Sequence, residues 1–114
     1  MLDRATLMLA QIAVSEEGLG QQAGRTDFLS LALSQTDRVG HTYGPLSREQ
    51  MDNLLRLDRN LGRFLEFLDD FVGPEGYLIG FTSDHGVLTV PERSESRFFR
   101  RTRARGLKSV SVYS

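Results

Sequence analysis

Apolar and polar positions follow two rhythms along the chain, and the rhythms divide it into elements. From Met51 to Phe71 the residues Met51, Leu54, Leu55, Leu57, Leu61, Phe64, Leu65, Leu68 and Phe71 recur three and four apart, which predicts a long helix with a broad apolar face. Ser47-Arg48-Glu49-Gln50 stands just before it in the form of a capping box: the Ser47 hydroxyl accepts an early helix amide and Gln50 reaches back to the cap. The helix is therefore expected from Ser47 to Phe71. A less regular pattern, Leu2, Leu7, Leu9, Ile12 and Ala13 with Ala5 and Ala10 between, predicts an amphipathic helix from Met1 to Glu17, ended by Gly18-Leu19-Gly20.

Elsewhere the period drops to two. Asp27 to Ser34 alternates large apolar residues with small ones, which predicts a strand over Phe28 to Leu33; the short apolar run from Tyr77 predicts a second over Leu78 to Thr82. Gln35 to Pro45 is rich in Thr, Asp, Gly, His, Tyr and Pro, the composition of a structured loop. Helix, strand, loop, helix, turn, strand is the order of a parallel α/β sheet with right-handed crossovers. In such a sheet the carboxyl ends of the strands lie along one edge, where ligands bind. Asp37, His41, Asp84 and His85 all fall at that edge.

Those four residues carry the chemistry. The chain has two histidines, and each is accompanied by an aspartate: Asp37-Arg38-Val39-Gly40-His41 and Thr82-Ser83-Asp84-His85-Gly86. Carboxylate and neutral imidazole are ordinary ligands for a divalent metal, zinc included. The competing reading of each pair is a hydrogen-bonded turn. Thr36, Thr42, Thr82 and Ser83 lie beside the pairs, and hydroxyls in such loops usually bond backbone rather than act as nucleophiles. Asp58, Asp69 and Asp70 read as helix-surface and turn residues.

Length and charge narrow the picture further. At 114 residues the chain suits one small domain with a modest core. The absence of cysteine excludes disulfides and thiolate metal sites. No apolar run approaches bilayer length, and the first residues lack the basic start and apolar block of a signal peptide. The net charge of −1 is unevenly spread: residues 1–91 hold seven Lys or Arg against thirteen Asp or Glu, and residues 92–114 hold seven against two.

Taken with Thr42-Tyr43-Gly44-Pro45 and Ser47-x-Glu49, the stretch DFLSLALSQTDRVGH from Asp27 to His41 resembles the metal-binding core of the alkaline phosphatase superfamily. The resemblance is to the branch holding type I phosphodiesterases and nucleotide pyrophosphatases, and FTSDHGV from Phe81 to Val87 resembles that superfamily's second metal motif. It covers residues 1–91 and implies a three-layer α/β/α sandwich, present only in part. It also implies a hydrolase of phosphate monoesters, diesters or nucleotide pyrophosphates that uses two zinc ions, with a periplasmic or secreted parent. Asp37 and His41 would hold the zinc that stabilises the leaving oxygen and later activates water. Asp84 and His85 would hold the one that activates a Ser or Thr nucleophile. The nucleophile and an early Asp ligand would precede this chain, and a further histidine ligand would follow Asp84-His85. The expectation is thus an internal piece of a larger enzyme, inactive by itself.

Residues 92–114 match that pattern least and form a separate basic continuation, expected as a helix and then a strand over Ser109 to Tyr113. Arg93, Arg97, Arg100, Arg101, Arg103, Arg105 and Lys108 surround Phe98 and Phe99. The rival function is accordingly a noncatalytic module that binds an anionic partner through this tail. No recognisable nucleic-acid module encloses the charge run, so a nucleic-acid partner is not expected.

Overall fold

The computed structural model describes residues 2–88, which lie within the expected core region; the basic continuation and its expected elements fall outside the described residues. Among the described residues three helices form: α1 (Leu2–Glu17), α2 (Gln35–Tyr43) and α3 (Arg48–Phe71).

The two long helices make the core. On α1, Asp3, Leu7, Ala10 and Val14 are buried at spacings of three and four; on α3, Phe64 and Leu68 meet them. Phe67 continues the contact, stacked between Phe64 and Phe71 at centroid distances of 6.3 and 5.6 Å. The buried stripe of α1 is narrower than its apolar pattern suggests, because Leu2, Leu9 and Ile12 are exposed. On α3, Met51, Leu54 and Leu55 are exposed too, and the buried positions near its start are the polar Gln50 and Asn53. Its inward face is therefore apolar at one end and polar at the other.

Ser47 caps α3 as expected, its hydroxyl accepting from the Gln50 N–H at 3.0 Å. The reciprocal half of the capping box does not form: the Gln50 side chain turns away and donates to the Thr36 carbonyl at 3.1 Å. At the other end the Val72 and Gly73 amides both donate to the Leu68 carbonyl, and Gly73 takes φ +96°, a conformation only glycine adopts readily.

The long helices run in the same direction. The first turn of α1 shares a cleft with the first half of α3, lined by Asp3, Arg4, Asn53 and Arg56. At their far ends Gln21 donates from its side-chain amide to the Phe71 carbonyl. Gly20 passes so close to Val72 that a Cβ there would come within 2.8 Å of its side chain. A chain linking two helices of like direction must return along them, and residues 27–34 do so. Asp27 is anchored near the end of α1 by the Gly20 N–H at 2.9 Å and by Arg25, and Gln35 reaches the start of α1, where its N–H donates to Asp3 at 3.0 Å. After α3, Tyr77 packs on the core and donates to Asp69 at 2.7 Å, and the chain again heads back toward α2.

The expected strands are not present: among the described residues the fold is helical, and the two-strand parallel sheet is corrected to two extended segments. In the first the period-two pattern still operates, since Leu31 and Leu33 pack on the core while Phe28 is 92% exposed; in the second Leu78, Ile79 and Phe81 are all exposed. The two segments also travel the same way, as parallel strands would. A strand, however, is defined by its ladder. These segments do not pair with each other, so their backbone groups remain unladdered. The expected loop at 35–45 is corrected as well. Residues Gln35–Tyr43 form α2, because Asp3 supplies from a distant helix the capping carboxylate that Ser34 does not provide.

Candidate metal centre

Asp37 sits in the first turn of α2 and His41 in its last, so the four-residue spacing puts both on one helix face. The His41 Nε2 lies 3.2 Å from Asp37 Oδ1. The extended segment after Tyr77 brings His85 to the same atom, with its Nε2 3.7 Å from Asp37 Oδ1 and 3.9 Å from Asp84 Oδ2. Two motifs far apart in the chain thus meet on Asp37. All four side chains are open to solvent, Asp84 most of all at 91%.

The His85 ring is held by its backbone. Its Nδ1 lies 3.0 Å from the Gly86 carbonyl, an acceptor, which places the ring proton on Nδ1 and leaves Nε2 facing Asp37 with a lone pair when the ring is neutral. That carbonyl, followed by the negative charge of Asp84 and then of Asp37, raises the His85 pKa above its ordinary value. The Asp84 carboxylate meanwhile accepts the His85 N–H at 3.0 Å.

The neighbouring hydroxyls behave as spacing and residue type predict. Thr42 donates to the Arg38 carbonyl at 2.8 Å, Thr82 to the Ser83 carbonyl at 3.3 Å and Ser83 to the His85 carbonyl at 2.5 Å. Thr36 differs, since its hydroxyl accepts from the Asn53 side chain at 3.0 Å. Asp3, Gln50 and Asn53, which surround the start of α2, were not legible as site residues. The only signal for them is polarity at helix positions that turn inward.

Among the described residues no group of three or more His, Asp or Glu side chains is arranged to hold one metal ion. The donors are disposed as pairs hinged on Asp37 rather than as a closed cage. A separate cleft of about 180 Å³ lies between α1 and α3 beside Asp3, Arg4, Asn53, Arg59 and Arg63.

A family model described as type I phosphodiesterase / nucleotide pyrophosphatase matches residues 2–105. The chain belongs to this family. Among curated relatives of this family member, alkaline phosphatase PhoV of Synechococcus elongatus is 49% identical over 86 residues, covering 75% of this chain and 16% of PhoV. Alkaline phosphatase PafA of Elizabethkingia meningoseptica is 44% identical over 82 residues, 72% of this chain and 15% of PafA. Alkaline phosphatase PhoK of a Sphingomonas species is 42% identical over 92 residues, 80% of this chain and 16% of PhoK. The chain therefore spans about one sixth of the length of these relatives. No solved structure matches it. The family suggests an α/β fold, whereas the described residues form helices and extended segments without strands. No helix among the described residues is long and apolar enough to cross a membrane.

Proposed function

We propose that the chain supplies Asp37, His41, Asp84 and His85 to a two-zinc centre in an enzyme that hydrolyses phosphate esters. The observation that carries this reading is the meeting of both motifs on one atom, Asp37 Oδ1, 3.2 Å from His41 Nε2 and 3.7 Å from His85 Nε2. Ligand atoms on a tetrahedral zinc with bonds of about 2.0–2.2 Å lie roughly 3.3 Å apart, so these separations suit donors about to share or flank a cation. The relatives' names, alkaline phosphatases, support the reaction class.

When bound, zinc in such a centre supplies Lewis acidity at the oxygens where charge develops during phosphoryl transfer. The chain's own residues prepare for it. The Gly86 carbonyl fixes the His85 ring so that Nε2 is the free nitrogen, α2 holds Asp37 and His41 on one face, and Asp37 links the two halves. Phosphate monoesters, diesters and nucleotide pyrophosphates are all compatible with that chemistry.

The reading includes an inactive isolated chain. A zinc site normally takes about three or four protein donors, whereas each motif offers two, and among the described residues the neighbouring hydroxyls of Thr36, Thr42, Thr82 and Ser83 are engaged in hydrogen bonds elsewhere. Zinc titrated into the purified chain is expected to bind, and His41→Ala or His85→Ala to weaken that binding. Activated aryl phosphate mono- and diesters are expected to show no turnover above buffer. Zinc uptake indifferent to both substitutions would refute the ligand assignment, and turnover abolished by them would refute the inactivity.

A further inference from the structure

The short helix that carries Asp37 and His41 has little apolar anchorage of its own. Its one buried residue is Gly40, and Ser34 at its cap gives it no side-chain hydrogen bond. Nine residues are too few for a helix to hold itself in water. What fixes it is a set of directional bonds, all delivered to its first two residues. Asp3 on α1 accepts the Gln35 N–H at 3.0 Å; on α3, Gln50 donates to the Thr36 carbonyl at 3.1 Å and Asn53 to the Thr36 hydroxyl at 3.0 Å. Asp3, Gln50 and Asn53 are each at least 95% buried.

Stability alone is a poor reason for these side chains. Buried polar groups are costly unless fully paired, and one oxygen each of Asp3 and Gln50 is buried without a partner. Gln50 also forgoes the reciprocal bond of its own capping box to reach Thr36. Apolar packing would bind the helices together but leave α2 free to roll about its axis. Hydrogen bonds to a carbonyl, a hydroxyl and an amide at one end set that rotation, and Thr36 is the residue immediately before Asp37.

We propose that Asn53 and Gln50, with Asp3, are positioning residues for the metal centre: by clamping Gln35 and Thr36 they aim Asp37 and His41 at His85. This rests on the metal reading above and extends it to residues that touch no metal. Partners that orient metal ligands typically govern affinity by 10–100-fold, which sets the scale of the effect.

The test separates orientation from stability. Asn53→Leu removes one partner and leaves the Thr36 hydroxyl unpaired, so it lowers both the melting temperature and the zinc affinity. Adding Thr36→Val removes the other partner as well, and an apolar pair of similar shape restores much of the stability. In the full chain, the double variant N53L/T36V is expected to regain most of the lost melting temperature while zinc affinity by calorimetry remains about tenfold reduced. Recovery of both together would mean that the pair serves only to hold the fold, and would overturn the proposal. A metal-free readout keeps the proposal distinct from the zinc reading. Nuclear Overhauser contacts between Asp37 and the His85 ring are expected in the parent chain and lost in the double variant. If the parent chain takes up no zinc but the variant loses these contacts, the metal reading fails and the positioning role stands; contacts retained in the variant overturn the role.

Discussion

Replacing Phe64 by alanine tests whether α1 and α3 depend on one small core. Phe64 is 7% exposed and contacts a cluster whose other buried members are Leu7, Ala10, Val14 and Leu68. Transfer of a phenylalanine side chain from water accounts for about 1.5–3 kcal/mol, and the cavity left behind raises the usual loss to about 3–5 kcal/mol. A structured region of about 90 residues typically has only ~5–13 kcal/mol in hand, so the variant should lose a large share of its stability. In urea, with a slope of ~2 kcal/mol/M, the midpoint of the far-ultraviolet circular dichroism transition should fall by about 2 M. Leu55→Ala is the control on the same helix. Leu55 is 55% exposed, and its replacement should change stability by only ~0.5 kcal/mol. A double-mutant cycle with Leu7→Ala should show coupling of ~0.5–3 kcal/mol. Equal midpoint shifts for Phe64→Ala and Leu55→Ala, with no coupling to Leu7, would show that the two helices do not pack as described.

Two further outcomes follow from local geometry. Gly40→Ala should stabilise α2 by up to ~1 kcal/mol, because a Cβ there would meet only the Gln50 side chain, at an ordinary 3.7 Å; slower amide exchange across α2 is the readout, and faster exchange would contradict it. Asp27, held below its ordinary pKa first by the Gly20 N–H and then by Arg25, adds stability above the unfolded-state value of about 3.9 and loses it as pH falls through the lower folded value. The Gly20 amide resonance should therefore move in that acidic window, and Asp27→Asn should abolish the movement.

Local chemistry was legible in the sequence where it depends on neighbours along the chain. The three-and-four spacing before Phe71 and the hydroxyl at Ser47 announce α3, and Gly18 to Gly20 mark the end of α1. What depends on partners elsewhere was not. The apolar alternation of Phe28 to Leu33 correctly signals an extended chain with one packed face, but a ladder needs a second strand within reach, and alternation carries no information about that. Helix α2 was hidden for a related reason: its capping group is Asp3, more than thirty residues earlier in the chain. Of the candidate site, Asp37, His41, Asp84 and His85 stood out because histidine is scarce here. Asn53 and Gln50 did not, because one polar residue on a helix looks like another until its direction is known.

The extended segments have a colloidal consequence. Phe28, Leu78 and Phe81 are 92%, 98% and 77% exposed, on backbone without a ladder partner. Two chains that meet along these edges offer each other exactly complementary rows of N–H and C=O groups, flanked by apolar side chains that gain by leaving water. A net charge of −1 provides little repulsion to keep them apart. Such encounters are second order, so the time a molecule spends alone shortens in proportion as the solution is concentrated.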